Sequence, residues 1–342
     1  MTRRCNYNPF HSAFFCMIQI NVLTDIAFKS SYAICVFGFM AEATRCSELR
    51  EVVTMSIAYF KLYVSIGIES NELPEQVFHS AMRGIFGRIL KGSFCIQKNI
   101  ECSECSMQNC LYRQIFEPDP QGFENFKPYI IRHLASMPGR IDVEYVFFGN
   151  ITKYAGSILH CILQMQDFPL LIKGHRYPIR IVKILDSKKN PLYSEGEDRV
   201  TQPHIMSASF RPVTMDILII HFITPLRMKH DSKLMRNFSW EAFFRGLYYR
   251  VSYIDRVYNN SRIALPAIWQ DTPMLEHDFS WQEMYRRSFR QRQSMSLGGL
   301  IGSLKIHNPT PDTAALLRLG SIMQVGKQCT FGLGKYKIIK ES

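Results

Sequence analysis

IAYFKLYVSI, residues 57–66, is dense in β-branched and aromatic residues and reads as a strand. Pro74 then opens a helix over 75–91, in which Val77, Phe78, Ala81, Met82, Ile85, Phe86, Ile89 and Leu90 recur at helical spacing. A strand near 127–132, a strand over 141–148 (IDVEYVFF), a helix over 152–165 and a strand over 178–185 (PIRIVKIL) complete the order βαββαβ. MDILIIHF, residues 215–222, starts a second series. A long amphipathic helix over 239–258 turns Phe243, Phe244, Leu247, Tyr248, Val251 and Ile254 inward. A weak apolar segment at 262–268, a Gly-bearing strand at 297–306, a short helix at 312–319 and a last strand at 331–339 repeat the order βαββαβ. Between the series, KKNP, SEGED and Pro203 make residues 186–213 loop-rich. A βαββαβ unit is α+β, an antiparallel four-stranded sheet with helices on one face. The open sheet face, or a groove between two such units, is a common place to bind RNA.

The chain has 342 residues, which suits two domains. An apolar content of 46% with 20% charged residues rules out intrinsic disorder for most of it. Lys and Arg number 41 against 29 Asp and Glu, a formal net charge of +12. That balance favours an acidic partner, nucleic acid before an anionic membrane surface. No stretch reaches the ~18 apolar residues of a spanning helix. The nearest runs, Phe14–Thr24 and Ser30–Ala41, are separated by Asp25 and Lys29. Arg3 and Arg4 imitate a signal peptide, but no small-residue cleavage site follows. The clean strand pattern begins after Met55, so residues 1–54 read as an N-terminal extension or an upstream misread start.

Of ten cysteines, Cys95, Cys102, Cys105 and Cys110 cluster. With no convincing signal peptide, a disulfide framework is not expected, and the compartment reads as reducing and cytoplasmic. Four thiolates within sixteen residues, one pair at x2 spacing, have the count for a structural tetrahedral zinc site. An iron–sulfur cluster fits the ligand count but lacks a redox context. Unligated thiols in a surface loop are the plain alternative.

The most specific local feature is GSIMQVGKQCTFGLGKY, residues 320–336. Its glycines let the backbone approach a phosphate and adopt positive φ, so that N–H groups can converge on an anion beside Lys327 and Lys335. It is neither a P-loop, whose spacing and preceding strand are missing, nor a dinucleotide fingerprint, since a strand follows it. A glycine-rich turn before an edge strand is the plain alternative.

This segment resembles the C-terminal glycine-rich signature of the CRISPR repeat-processing endoribonucleases of the RAMP superfamily. FITPLRMK (222–229), FFRGLYYRVSYIDRVY (243–258), YRRSFRQRQSMSLGGLIGSL (285–304), and HSAMRGIFGRIL (79–90) followed by CLYRQIFEP (110–118) are similar to other parts of that family. The resemblance spans about residues 56–339. It implies tandem ferredoxin-like (RRM-like) βαββαβ domains. On this reading the first spans 55–188 with a Cys-rich insertion at 92–126, and a linker covers 189–213. The second spans 214–342 and carries the glycine-rich loop.

The resemblance also implies a CRISPR repeat or precursor crRNA as partner, and metal-independent cleavage without a small-molecule cofactor. In that chemistry a ribose 2′-hydroxyl attacks the adjacent phosphate, leaving a 2′,3′-cyclic phosphate. A base, an acid and a cation are required. The family draws its base from a histidine near the first helix, and His79 is the match. Arg83, four residues on, shares its polar face and can offset phosphate charge. No matching Tyr or Lys partner is recognised. RNA-binding candidates are Arg286, Arg287, Arg290 and Arg292, interleaved with Tyr285 and Phe289, together with Gly326, Lys327, Gly332, Gly334 and Lys335. Arg245, Arg250 and Arg256 decorate the long helix. The competing readings are a non-catalytic RNA-holding subunit of a CRISPR effector complex, and a zinc-containing interaction module.

Overall fold

The computed structural model describes residues 55–69, 75–97, 99–107, 109–117, 126–172, 175–259, 273–288 and 293–341. All lie in one compact unit, Thr54–Ser342. The class is α+β with antiparallel sheets. The first series runs β1 (Ser56–Ile68), α1 (Glu75–Phe94), α2 (Leu111–Phe116), β2 (Tyr129–Met137), β3 (Arg140–Phe148), α3 (Ala155–Leu163), β4 (Ile179–Leu185), β5 (Pro191–Ser194) and β6 (Met206–Ser209). Its sheet is ordered β2-β3-β1-β4-β5, and β6 pairs the start of β1. The second series runs β7 (Ile217–Phe222), α4 (Trp240–Tyr258), β8 (Leu275–His277), β9 (Tyr285–Ser288), β10 (Gln293–Ser296), β11 (Gly299–Ile301), β12 (Ser303–His307), α5 (Pro311–Met323) and β13 (Tyr336–Glu341). Its main sheet is ordered β8-β12-β7-β13. In both sheets the opening strand is central, between the strand before the last helix of its series and the strand after it.

Strand alternation divides β1 between two cores. Phe60, Leu62, Val64 and Ile66 face Phe86, Leu90 and Ile158 of the first series' own helices. Ile57 and Tyr59 face the other way, with Ile130, Val146 and Phe148, into the core built by Leu218, Ile220, Phe243 and Leu247. The first sheet is thus covered by its helices on one side and, near one end, by the second half on the other. Tyr258 and Asn259, at the end of α4, pin this junction by donating to the carbonyls of Phe126 and Ser56 at 2.9 and 2.8 Å.

Four sequence readings need correction. Residues 186–213 are not all loop, because β5 and β6 lie there, each four residues long. The strand expected at 297–306 is two, broken at Gly302, whose φ of +142° turns the chain. The last strand starts at Tyr336, because 329–331 form a 3-10 turn. The helix expected at 312–319 extends to Met323. The weak segment at 262–268 lies outside the described residues, and β8 fills the second-strand position of the second sheet. Residues 1–54 also lie outside them. Among the described residues no helix is long and apolar enough to cross a membrane.

Candidate active site and nucleic-acid interface

The glycine-rich segment folds back on the turn that follows β7. The Lys327 amide donates to the Arg227 carbonyl at 2.7 Å, and the Gly334 amide to Pro225 at 2.9 Å. The Lys335 amide donates to Thr224 Oγ1 at 2.9 Å, and Thr224 Oγ1 donates to the Gly332 carbonyl at 2.7 Å. Phe331 and Gly332 donate to Gln328 and Cys329. These amides are occupied inside the protein, so the expected convergence of loop N–H groups on an anion is not what they do. The glycines permit close packing instead. Gly334 has φ +73°, and a Cβ there would overlap the Val325 carbonyl oxygen. Gly332 has φ +83°, and a Cβ there would sit 2.8 Å from Arg132 Cγ. Gly326 lies against the Arg227 carbonyl in the same way.

The turn therefore lies across β2, at the edge of the first sheet. Gly332 rests on Arg132, while the neighbouring Phe331 takes the Arg83 guanidinium at 5.1 Å from its ring centroid. Arg83 projects from α1, donates through Nε to Tyr129 Oη at 2.6 Å, and lies 5.6 Å from the Phe116 ring centroid. His79 lies one turn earlier on α1; its side chain is outside what the structure describes. The basic strand β9, which carries Arg286 and Arg287, packs against α1. The side chains of Arg286 and Arg287 are outside the description, and Arg290 and Arg292 lie outside the described residues. The His79–Arg83 helix thus meets two elements far from it in sequence, the basic strand and the glycine-rich turn.

Two further side chains belong to this junction. Tyr129 offers its hydroxyl to Arg83, and Lys127 donates to the Phe116 carbonyl. Burial, then the Arg83 charge, pulls the Lys127 pKa down, with Glu117 opposing. The sequence signal for both was slight: each sits at the start of a strand that reads as ordinary β-structure.

Lys327 is exposed. Lys335 is half-buried, and its Nζ donates to the Ser321 carbonyl. Burial lowers its pKa to about 8, aided by Lys61 and Arg132 and opposed by Glu144. Glu144 is itself buried, with Arg132 Nη2 at 2.8 Å and Lys61 Nζ at 3.7 Å. Burial pushes its pKa up, but Arg132, Lys61 and Lys335 outweigh that and hold it below the usual carboxylate value. Arg250 is corrected from an RNA candidate to a core residue: it is 2% exposed and donates to the Met323 carbonyl at 2.8 Å, at the C-terminus of α5. Arg245 and Arg256 are exposed, as a solvated helix face requires.

The side chains of the cysteine cluster make other contacts. Cys95 is buried, and Cys102, Cys105 and Cys110 are half-buried. Cys105 Sγ donates to Gln97 Oε1 at 3.0 Å, and Cys110 Sγ to the Phe94 carbonyl at 3.6 Å. Burial raises the Cys102 thiol pKa, with Glu117, Cys95 and Cys110 adding to the shift and Lys91 opposing it. Among the described residues no three His, Cys, Asp or Glu side chains are grouped to hold a metal ion. The expected structural zinc at these four positions is therefore not supported by their arrangement.

Residues 55–205 match the AF_1859_N family model, described as an N-terminal domain. Residues 220–336 match the model described as CRISPR-associated endoribonuclease Cas6. No match is found among curated proteins. Among solved structures, a Cas6 product complex is 12% identical; the alignment covers 82% of this chain and 99% of that one, with a TM-score of 0.50. Thermus thermophilus Cas6 is 12% identical over 84% of this chain and 99% of that one, with a TM-score of 0.45. A partial Cas6-RT-Cas1–Cas2 complex is 15% identical over 84% of this chain and 46% of that one, with a TM-score of 0.46.

Proposed function

The chain belongs to the Cas6 family of CRISPR-associated endoribonucleases, and from that premise we propose that it binds CRISPR repeat RNA and cuts precursor crRNA by 2′-hydroxyl attack. The observation that carries the reading is the contact of α1 with the basic strand and, through Arg83 and Phe331, with the glycine-rich turn. His79 takes the proton of the ribose 2′-hydroxyl as its oxygen bonds the adjacent phosphorus. The bond from phosphorus to the 5′ oxygen breaks, and that oxygen takes up a proton. The products are a 2′,3′-cyclic phosphate and a 5′-hydroxyl end. Arg83 supplies positive charge beside the reacting phosphate; its Nε is committed to Tyr129, and the opposite edge of the guanidinium faces outward from that bond. Lys127 lies in the same electrostatic field and is a second cation for the junction. Arg286 and Arg287 on β9, with Lys327, hold the RNA backbone.

We read the two series as ferredoxin-like domains, 55–188 and 214–342. The shared strand order of the two sheets supports this. The reaction as proposed needs no cofactor and takes place in the cytoplasm.

The test is incubation with the neighbouring repeat RNA in EDTA. A single cut ending in a cyclic phosphate is expected, and His79→Ala should slow it about 10²–10⁴-fold. A His79→Ala protein that cuts at the wild-type rate removes the assignment of the base. Loss of cutting in EDTA removes the metal-independent mechanism.

A further inference from the structure

Away from the α1 junction, the face of the first sheet that its helices do not cover carries a row of polar side chains. Tyr63 on β1 pairs directly with Glu144 on β3, and Glu144 pairs directly with Arg132 on β2. Alternation places Lys61, two residues before Tyr63, on the same face, and its ammonium reaches the same carboxylate. Lys189, exposed in the turn between β4 and β5, lays its ammonium 2.8 Å from the Tyr63 ring centroid. Lys335 enters from the glycine-rich segment and acts on the same charges.

Arg132 and Lys61 hold one carboxylate, and Lys189 and Lys335 feel its field, a local excess of three positive charges. Crowding of like charges is costly in a half-buried place, and an incoming anion relieves it. The Tyr63 hydroxyl is spent on Glu144, and together with burial that bond pushes its pKa up to about 12. The ring face is occupied by a cation on an exposed, flexible side chain, which can swing aside. An aromatic face beside several cations on an open sheet is suited to one unpaired base and its flanking phosphates. A duplex does not present a free base face to such a ring.

We propose that Tyr63, Lys61, Arg132, Lys189 and Lys335 form a platform for single-stranded RNA, with a base replacing the Lys189 ammonium on Tyr63 and phosphates taken by the other cations. Glu144 keeps these side chains in place without touching the RNA. The platform rests on the reading that the substrate is RNA. It is separate from the α1 junction but joined to it through Gly332, which packs on the Arg132 stem.

The probe is a fluorescent 12-nucleotide oligouridine, which has no hairpin, titrated by anisotropy against the full chain. The variant Lys61→Ala/Tyr63→Leu/Lys189→Ala should weaken binding at least tenfold. Removing two cations should flatten the slope of log K against log salt by about 1.4. Lys153→Ala, on the helical side of the sheet, should leave both values unchanged. If circular dichroism shows the triple variant unfolded, Tyr63→Leu alone is expected to weaken binding about tenfold.

Equal affinity of folded variant and wild type overturns the platform. So does a wild type that cuts repeat RNA but does not bind the oligomer, an outcome that leaves the nuclease reading standing. Tighter binding of the matching oligodeoxythymidine overturns the choice of RNA. A wild type that fails to cut repeat RNA, with the oligomer result as expected, ends the nuclease reading and keeps the platform.

Discussion

Lys335, proposed to serve binding, carries its charge at the expense of stability. Its pKa is lowered in the folded state, so between about 8 and the ordinary lysine value the unfolded chain holds more protons than the folded one. Stability linked to this group therefore rises with pH through that window, and at neutral pH the buried charge is a cost. Lys335→Met should raise the free energy of unfolding at pH 7 by roughly 1–3 kcal/mol after allowing for partial exposure, read as a higher urea midpoint. The gain should vanish above pH 10.5, while affinity for RNA falls. A variant equally or less stable at pH 7 would contradict the sign. Gly334 is the opposite case, a residue spent wholly on packing. Gly334→Ala should cost ~3 kcal/mol, because strain at φ +73° adds to overlap with Val325. Gly196→Ala, at φ +85° in open space, should cost only ~1 kcal/mol. Chemical denaturation of the pair separates backbone strain from steric exclusion. His79 could be proposed in sequence through the family resemblance, and Lys335 through the glycine-rich motif. Glu144, Tyr63 and Arg132 could not, because a lone polar residue in a strand looks like any solvent-facing position until register sets it beside its neighbours.

Among the elements, the long strands and helices were legible because each carries several apolar residues at one period. β1, β3, α1 and α4 lie within a few residues of where the pattern puts them. β8 was not legible: Leu275 is its single apolar residue, and Glu276 and His277 are exposed. β5 and β6 are too short to establish a period. The glycine-rich segment was recognised as special, but its conformation was not, since its hydrogen bonds go to residues 224–227, about a hundred positions away. Arg250 on α4 was misread for a related reason. Its charge suggests solvent, yet it donates to the Met323 carbonyl at the end of α5. Arg250→Met should destabilise the fold by ~2–4 kcal/mol and leave the salt slope of RNA binding unchanged. A flatter slope would return it to the RNA surface.

At the scale of the whole molecule the two halves share a core, because Ile57, Tyr59, Ile130, Val146 and Phe148 of the first sheet pack into the second half. All three tryptophans, Trp240, Trp269 and Trp281, belong to the second half. Phe148→Ala removes a fully buried ring from the first half and should cost ~3–5 kcal/mol. Tryptophan fluorescence and far-ultraviolet circular dichroism should shift to lower urea together. A tryptophan transition left where it was would mean the halves unfold separately. The sequence by itself determined the α+β class, the long strands and helices, the excess of positive charge and the glycine-rich segment, because periodicity, composition and short motifs are local properties of a chain. Only the tertiary structure decided which cations lie around Glu144, that Arg250 is buried, and that the glycine-rich turn lies between Arg83 and Arg132. Those are distances between residues remote in sequence, and strand register and the packing of one half on the other set them.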